Sequence, residues 1–594
     1  MRTLGKALLW SLATFGFFIL ALIGIGIYGI TNADKLPKQV AEAPDEMILA
    51  LDLDDNYSEG EPVRGLGAFG LSRSVAHDDA LIAIRRAKDD ERVKALVATI
   101  SEQARGLAQT QDLRDAIADF RESGKPTLIF AETIGEGTPA TGAYYMASAF
   151  EKIWVQPSGT VGLAGIGIEQ PFFKGLLDRL GIKATVIQRK EYKSAMENLS
   201  NDAMSPANRE ALESLLGTFY EQFVTGIAAA RNISEADVRA LIDRGPLLSQ
   251  EALDAHLIDR IGYRDEFDTE YETAAGTDKL VGINRYLSYP PVDDKPDPEK
   301  SIALIHAVGQ IMRGEDGGPF AQNQVIASET MAKAVKDAAE NDKIDAILIR
   351  IDSPGGSYVA SDTIWREVVR AKEKKPVVVS MGNTAASGGY FIAMAADRIF
   401  AQPTTITGSI GVIFGKVSFG EASEKLDINW DRVSFGESAG MYSSVKDFNE
   451  KELARLNQMI DFAYNDFTAK AAQGRNKDVA ELERAARGRV WTGVDALDAG
   501  LVDELGGFSR AVDYTKERIG LAPDDSVWLV PYPKPEDPFK TLLKAFENGD
   551  LPFGIISGLM NLSRIGGEAA PLLEQIDDAA QTGTRIYQAP ITVR

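Results

Sequence analysis

A transmembrane helix followed by two copies of an α/β domain, each built on a parallel sheet, is the architecture the sequence predicts. Three observations predict it. Residues 7–30 carry no charge, a shift of 246 positions lays the first half of the body on the second, and apolar runs alternate with helix-patterned segments in strand-helix-strand order.

The 24 uncharged residues 7–30 span about 36 Å as a helix, enough for a hydrocarbon core of roughly 30 Å. Arg2 and Lys6 precede them, which keeps the N-terminus in the cytoplasm and sends the body across the membrane. The alternative is a cleaved signal peptide, whose apolar core runs about 7–15 residues. Thr31-Asn32-Ala33 resembles a cleavage site for it. No second stretch matches the first. Residues 551–562 are apolar but contain Gly554, Gly558 and Asn561, and read as a packing or amphipathic segment.

The duplication is dense. Gly142-Ala143-Tyr144 falls on Gly388-Gly389-Tyr390, Gln156-Pro157 on Gln402-Pro403, Gly162 and Gly165 on Gly408 and Gly411, and Glu191 on Glu437. With a small change of frame, Asp254-Ala255-His256-Leu257-Ile258-Asp259 falls on Asp498-Ala499-Gly500-Leu501-Val502-Asp503. Each repeat opens on an apolar run, residues 47–53 and 302–308, that reads as a buried strand. In the second repeat 346–351 and 376–380 read as strands with a helix over 361–374 between them, and 450–473 reads as a long helix. Residues 274–300 contain Tyr289-Pro290-Pro291 and Asp297-Pro298 and read as a linker. Beyond about residue 522 the chain is Pro-rich, then irregular, without a repeat partner. The expected divisions are 1–33 for the anchor, 34–273 for the first repeat, 274–300 for the linker, 301–521 for the second repeat and 522–594 for an extension of unassigned role.

Composition narrows the function. A net charge of -23 lacks the basic footprint of a nucleic-acid binder. The absence of cysteine excludes disulfides, thiolate nucleophiles and Cys-based metal sites. His77, His256 and His306 are the only histidines, and none lies in a serine-bearing Gly-rich motif, so a Ser-His-Asp triad has no local signature. No Gly-x4-Gly-Lys-Ser/Thr loop marks an ATPase module, and no cofactor is implied.

Two Gly-rich elements follow the two strands of the second repeat: Asp352-Ser353-Pro354-Gly355-Gly356, and Ala385-Ala386-Ser387-Gly388-Gly389-Tyr390 before a helix-like run to Ala396. A serine at a strand-to-helix turn sits among free N–H groups and the positive end of the helix dipole, where negative charge is favoured. The N–H of Gly388 would point where an oxyanion forms. Gly355 and Gly356 let backbone approach a substrate and offer a second N–H. Taken alone, both elements also fit tight-packing turns between helix and sheet.

With Thr407-Gly408-Ser409-Ile410-Gly411 and, in the first repeat, Glu191-Tyr192-Lys193-Ser194-Ala195, these motifs resemble the signal peptide peptidase A (protease IV) family in its long two-repeat bacterial form. The likeness covers roughly residues 45–515 and includes the anchor. It implies a tandem Clp/crotonase-like fold and a serine endopeptidase with Ser387 as nucleophile, Lys193 as general base, Ser409 as hydrogen-bond partner of the lysine, and the N–H groups of Gly356 and Gly388 as oxyanion donors. It also implies signal peptides and other apolar peptides as substrates, a homotetramer, and a bacterial inner-membrane location with the body in the periplasm. Other readings are an inactive membrane-bound scaffold of the same fold, and a crotonase-type acyl-CoA enzyme. The anchor argues against the latter, since CoA is cytosolic.

The repeat frame supports one composite site. Ser387 falls on Thr141, Ser409 on Leu163, and the glycine pair near Ala104-Arg105, so the first repeat lacks both serines and the glycines. Lys193 falls on Ala439, so the second repeat lacks the lysine. Each repeat keeps what the other has lost. A lysine base must be neutral, which requires its pKa to fall from about 10.4. Burial supplies up to roughly 3–5 units, and Arg189 and Lys190 would add to the shift if they point inward. Asp352 is expected to shape its loop.

Overall fold

The computed structural model describes residues 42–55, 57–60, 75–102, 105–292, 297–316, 324–534 and 591–593. The span expected at 7–30 and the apolar stretch at 551–562 lie outside them. Among the described residues no helix is long and apolar enough to cross a membrane.

Each repeat forms a sheet with the same strand order. In the first it runs Arg260–Ile261, Lys152–Val155, Thr127–Ala131, Val93–Thr99, Met47–Asp52, Leu280–Gly282, with every neighbour parallel. In the second it runs Glu504–Leu505, Arg398–Ala401, Val377–Ala386, Ala346–Ser353, Ser301–Val308, Val527–Tyr532, again all parallel. The central strands are Val-, Ile- and Leu-rich and buried along their length, as a sheet covered by helices on both faces requires. Local signals start the helices: Ser357 accepts from the Ala360 N–H before Tyr358–Lys372, and Asn449 with Glu452 forms a capping box before Glu450–Gly474.

The shared motifs have shared contacts. Tyr144 donates its hydroxyl to the Leu257 carbonyl at 2.6 Å, and Tyr390 does so to Leu501 at 3.0 Å. Asp259 accepts from the Ile153 N–H and Arg231, as Asp503 does from the Ile399 N–H and Arg475. The paired aspartates therefore tie a strand to the end of a long helix in both copies.

Two expectations need correction. Residues 280–288, inside the presumed linker, form strand Leu280–Gly282 and helix Ile283–Ser288 of the first repeat. Val527–Tyr532, inside the segment thought to lack a counterpart, takes the equivalent edge of the second sheet. A three-residue strand has no readable periodicity, and Pro531 disguises the longer one.

A buried ionic cluster joins the repeats. Arg350, 1% exposed, donates Nε and Nη2 to Glu59 at 3.0 and 2.6 Å, and Nη2 to Asp112 at 2.7 Å. Asp112 also meets His77 Nε2 at 3.2 Å and Gln402 Nε2 at 2.7 Å. Burial pushes the Asp112 carboxyl up, but the Arg350 guanidinium, His77 and Gln402 together outweigh it and hold the group at about 2. Removing the cation leaves two buried carboxylates uncompensated. Arg350→Ala is expected to cost about 3–5 kcal/mol, read as a lower urea midpoint; an unchanged midpoint would rule out this role.

Candidate active site

Strand Val377–Ala386 ends at Ser387, and helix Gly388–Ala393 begins one residue later. Ser387 has φ 55° and ψ -114°, a conformation that non-glycine residues rarely adopt. Its N–H donates to the Gly408 carbonyl at 2.9 Å, and its carbonyl accepts from the Phe391 N–H. The sharp turn lifts the hydroxyl off the strand line at the start of the helix.

The neighbouring strand Ala346–Ser353 runs into Pro354-Gly355-Gly356. Pairing shifts from Ile351 with Met381 to Ser353 with Ala385, so the strand that leads to Ser387 bulges between them. Asp352 clamps the bulge, accepting from the Thr384 N–H at 3.0 Å and Asn383 Nδ2 at 3.3 Å. Burial and the nearby Glu59 push its carboxyl up to about 6. Ser353 accepts from the Gly355 N–H at 3.1 Å and donates to the Gly309 carbonyl at 2.6 Å.

Glycine is required at the end of this loop. Gly355 and Gly356 have φ of 97° and 157°, and a Cβ would meet Gly388 N at 2.5 Å or the Ile311 carbonyl at 2.1 Å. Ile311 bonds the Gly355 carbonyl and the Ser357 N–H, so in this parallel bridge the Gly356 N–H faces away from Ile311. The Gly388 N–H opens a helix and has no acceptor within it. A Cβ on Gly388 would lie 3.1 Å from Gly356 N, so the two amides are neighbours beside Ser387.

Lys193 arrives from the first repeat on a ribbon. Strand Lys183–Arg189 pairs antiparallel with Val412–Ser418 of the second repeat, from Arg189 opposite Val412 to Lys183 opposite Ser418. Beyond it, the N–H groups of Lys190 and Tyr192 donate to the Arg487 carbonyl at 3.3 and 3.2 Å. Gly488, with φ 82°, lies so close that a Cβ there would meet Lys193 N at 2.6 Å. The lysine Nζ lies 3.0 Å from Ser387 Oγ, 2.8 Å from Ser409 Oγ and 2.8 Å from the Ser409 carbonyl, all within one chain. Ser409 is itself held at φ 51° by donation from its N–H to the Arg489 carbonyl at 2.7 Å.

Lys193 is 6% exposed, and burial alone lowers its pKa to about 7. Arg189 and Lys190 add nothing to that shift, because the condition that they point inward is not met. They point outward and pair with Asp461 and Glu483. The first repeat has no matching site: the Thr141 hydroxyl is engaged by the Ala164 N–H at 2.9 Å, Leu163 is buried, and Ala439 is exposed. The histidines lie elsewhere, with His77 on Asp112 and His306 Nε2 3.3 Å from Asp78.

The five residues expected at the site thus stand together. The sequence reading missed Gly488 and the 487–489 loop that seats the lysine, whose signal was a single glycine between Arg487 and Arg489. It also missed the Asp352 clamp on Thr384 and Asn383.

The profile of peptidase family S49 matches residues 119–278 and 370–522, one segment in each repeat. The chain belongs to peptidase family S49. The Clp protease profile matches residues 321–407. Protease 4 of Salmonella typhi is 33% identical over 515 residues, 84% of this chain and 81% of that protein. The chloroplastic serine protease SPPA of Arabidopsis thaliana is 32% identical, over 77% and 68% respectively. Protease 4 of Haemophilus influenzae is 28% identical, over 81% and 79%. This S49 chain is a serine-type peptidase with a Clp-protease-like α/β fold in two repeats.

The buried lysine makes stability depend on pH. Its folded pKa, about 7, lies below its ordinary 10.5, so between these values unfolding takes up a proton. Stability therefore rises with pH across that window, by about 1.4 kcal/mol per unit, and this contribution is flat below it. The unfolding free energy of wild type minus that of Lys193→Met should show that slope between pH 7 and 10.5. Parallel curves for the two proteins would contradict it.

Proposed function

We propose that the chain is a membrane-anchored serine endopeptidase with a Ser387/Lys193 dyad. The observation that carries this reading is the 3.0 Å approach of a buried lysine amine from one repeat to a serine hydroxyl of the other. A neutral amine has two N–H donors and one lone pair. The Ser409 carbonyl accepts one N–H and Ser409 Oγ the other, which leaves the lone pair for the Ser387 proton.

Lys193 takes that proton as Ser387 Oγ attacks a peptide carbonyl. The N–H groups of Gly356 and Gly388 hold the oxyanion. The Lys193 ammonium then returns the proton to the leaving amine. Water, activated by the neutral lysine, releases the acyl group and regenerates the hydroxyl. The glycine amides are fixed before reaction, so no reorganisation is needed as charge develops.

Residues 7–30 anchor this enzyme in a bacterial inner membrane, with the body in the periplasm. Its substrates are signal peptides left after cleavage and other unfolded apolar peptides, and it works as a homo-oligomer, expected to be a tetramer. The motif resemblance and the charge-free N-terminal stretch support these points.

A serine-directed fluorophosphonate should modify Ser387 in wild type and fail in Lys193→Ala and Ser387→Ala. The Lys193→Ala variant should lose about 10²–10⁴ in kcat/KM on peptide substrates. Folded, unlabelled wild-type protein would favour an inactive scaffold. Because the base must be neutral, kcat/KM should rise with pH through about 7. A profile flat between pH 5 and 9 would exclude Lys193 as the base.

A further inference from the structure

The strand that leads to Ser387 changes neighbours where it bulges. As far as Ser380 it pairs on its outer side with Arg398–Ala401, and from Thr384 onward with Ile406–Gly408. On its inner side Ile351 pairs with Met381 and Ser353 with Ala385, so Asp352 alone faces Gly382, Asn383 and Thr384. Side chains hold this stretch where the ladder is interrupted. Asp352 accepts from the Thr384 N–H, and Thr405 donates its hydroxyl to the Gly382 carbonyl at 2.9 Å.

Asn383 connects the bulge to the other repeat. Its Nδ2 donates to Asp352 Oδ2 at 3.3 Å, and its Oδ1 accepts from the Gln109 N–H at 3.1 Å. Gln109 lies in the first turn of helix Leu107–Arg121, whose N-cap residue, Gly106, has no side chain to offer. A free N–H of this helix start is therefore capped from the other repeat, a role that a local Ser, Thr, Asn or Asp ordinarily fills. The approach requires glycine at 106, since a Cβ there would lie 2.0 Å from Asn383 Cγ. Gly106 directly follows Ala104-Arg105, near which the Gly355-Gly356 pair falls in the repeat frame. The first repeat's counterpart of the glycine loop thus serves as a socket for Asn383. Gln109 Nε2 closes the circuit, 3.2 Å from Glu59 Oε1, because Glu59 holds Arg350 on the same strand as Asp352.

We infer that Asn383 is a positioning residue for the peptidase reaction: together with Asp352 it fixes the bulge against the first repeat, and so sets where Ser387 and the Gly388 N–H stand. This deepens the Ser387/Lys193 reading and rests on it for the reaction. Ser387, at φ 55°, occupies a sparsely populated backbone region, which persists only where the surroundings hold it. Gly408 holds its N–H from one side, and the Asn383–Asp352 pair holds the chain just upstream. The lysine and the serine come from different repeats. A fixed distance between them needs an inter-repeat contact on the serine's strand as well as on the lysine's ribbon, and Asn383 supplies it.

Asn383→Ala removes both bonds. Its kcat on a peptide substrate should fall about 10–100-fold, since a displacement of about 1 Å at the reacting groups costs that much. KM should change by less than about threefold, because the contacts that bind the substrate remain. D352N sets donor against donor and N383D sets carboxylate against carboxylate, and each should lose about as much. The double variant D352N/N383D reverses the hydrogen bond. The amide at 352 then donates to the carboxylate at 383, which still accepts from Gln109, and the 352 oxygen accepts from Thr384. Its kcat should return to within about threefold of wild type. A contact that only stabilised the fold would lower the urea midpoint and leave kcat of the folded protein unchanged. Wild-type kcat in folded N383A, or a double variant no better than either single, overturns the inference. Should N383A not fold, the swap decides alone. A wild type that cleaves no peptide refutes the dyad and this role with it, whereas an active wild type with unaffected variants refutes this role only.

Discussion

Everything at the site depends on the antiparallel ladder between Lys183–Arg189 and Val412–Ser418. Backbone pairing has a period of two residues, so a slip of one would turn every side chain of the strand to the other face. The ladder therefore sets both where the first repeat meets the second and which way the chain leaves toward Lys193. The 487–489 loop then receives that chain at Lys190 and Tyr192, with Gly488 leaving room for it. A side chain distant in sequence is placed within hydrogen-bonding distance of Ser387 by main-chain bonds, which do not depend on the lysine itself.

Burial determines the electrostatics on both sides of the site, with opposite results. Lys193 is buried among neutral oxygens, so nothing offsets desolvation and its charged form is disfavoured. Arg350 is buried at least as deeply but meets two carboxylates, which keep it charged and raise its pKa. The first arrangement suits proton transfer, and the second suits holding two repeats together. Strand Ala346–Ser353 carries both Arg350 and Asp352, so the inter-repeat cluster and the clamp on the strand that leads to Ser387 share one rigid element that continues into the Gly355-Gly356 loop.

Duplication explains how the two halves came to differ without losing the fold. Tyr144 and Tyr390, Asp259 and Asp503 keep the same contacts because each holds a helix to a sheet. Ser387 and Thr141, Ser409 and Leu163, Lys193 and Ala439 differ because only one member of each pair stands where the lysine and the two serines meet. The strands joining the repeats within the chain are also copies, at the 246-residue shift, of residues 429–435 and 166–172, which have no strand partner among the described residues.

The five candidate site residues were named through the motif resemblance to the family, whereas the repeat and the strand order around both Gly-rich turns were legible in the sequence because each is local, an apolar run, a pair of glycines, a match at fixed spacing. The edge strands Leu280–Gly282 and Val527–Tyr532 were not, since short strands beside prolines take their stability from a neighbour and not from their own pattern. The outward turn of Arg189 and Lys190, the seat at Gly488 and the Asp352 clamp were equally hidden. The amino-acid order by itself determined which residues carry reactive groups and that no single repeat holds a full set. Only the tertiary structure decided that Lys193 and Ser387 of one chain meet, and that the lysine is dry. Both are properties of long-range pairing and packing, which residue identity along the chain does not encode locally.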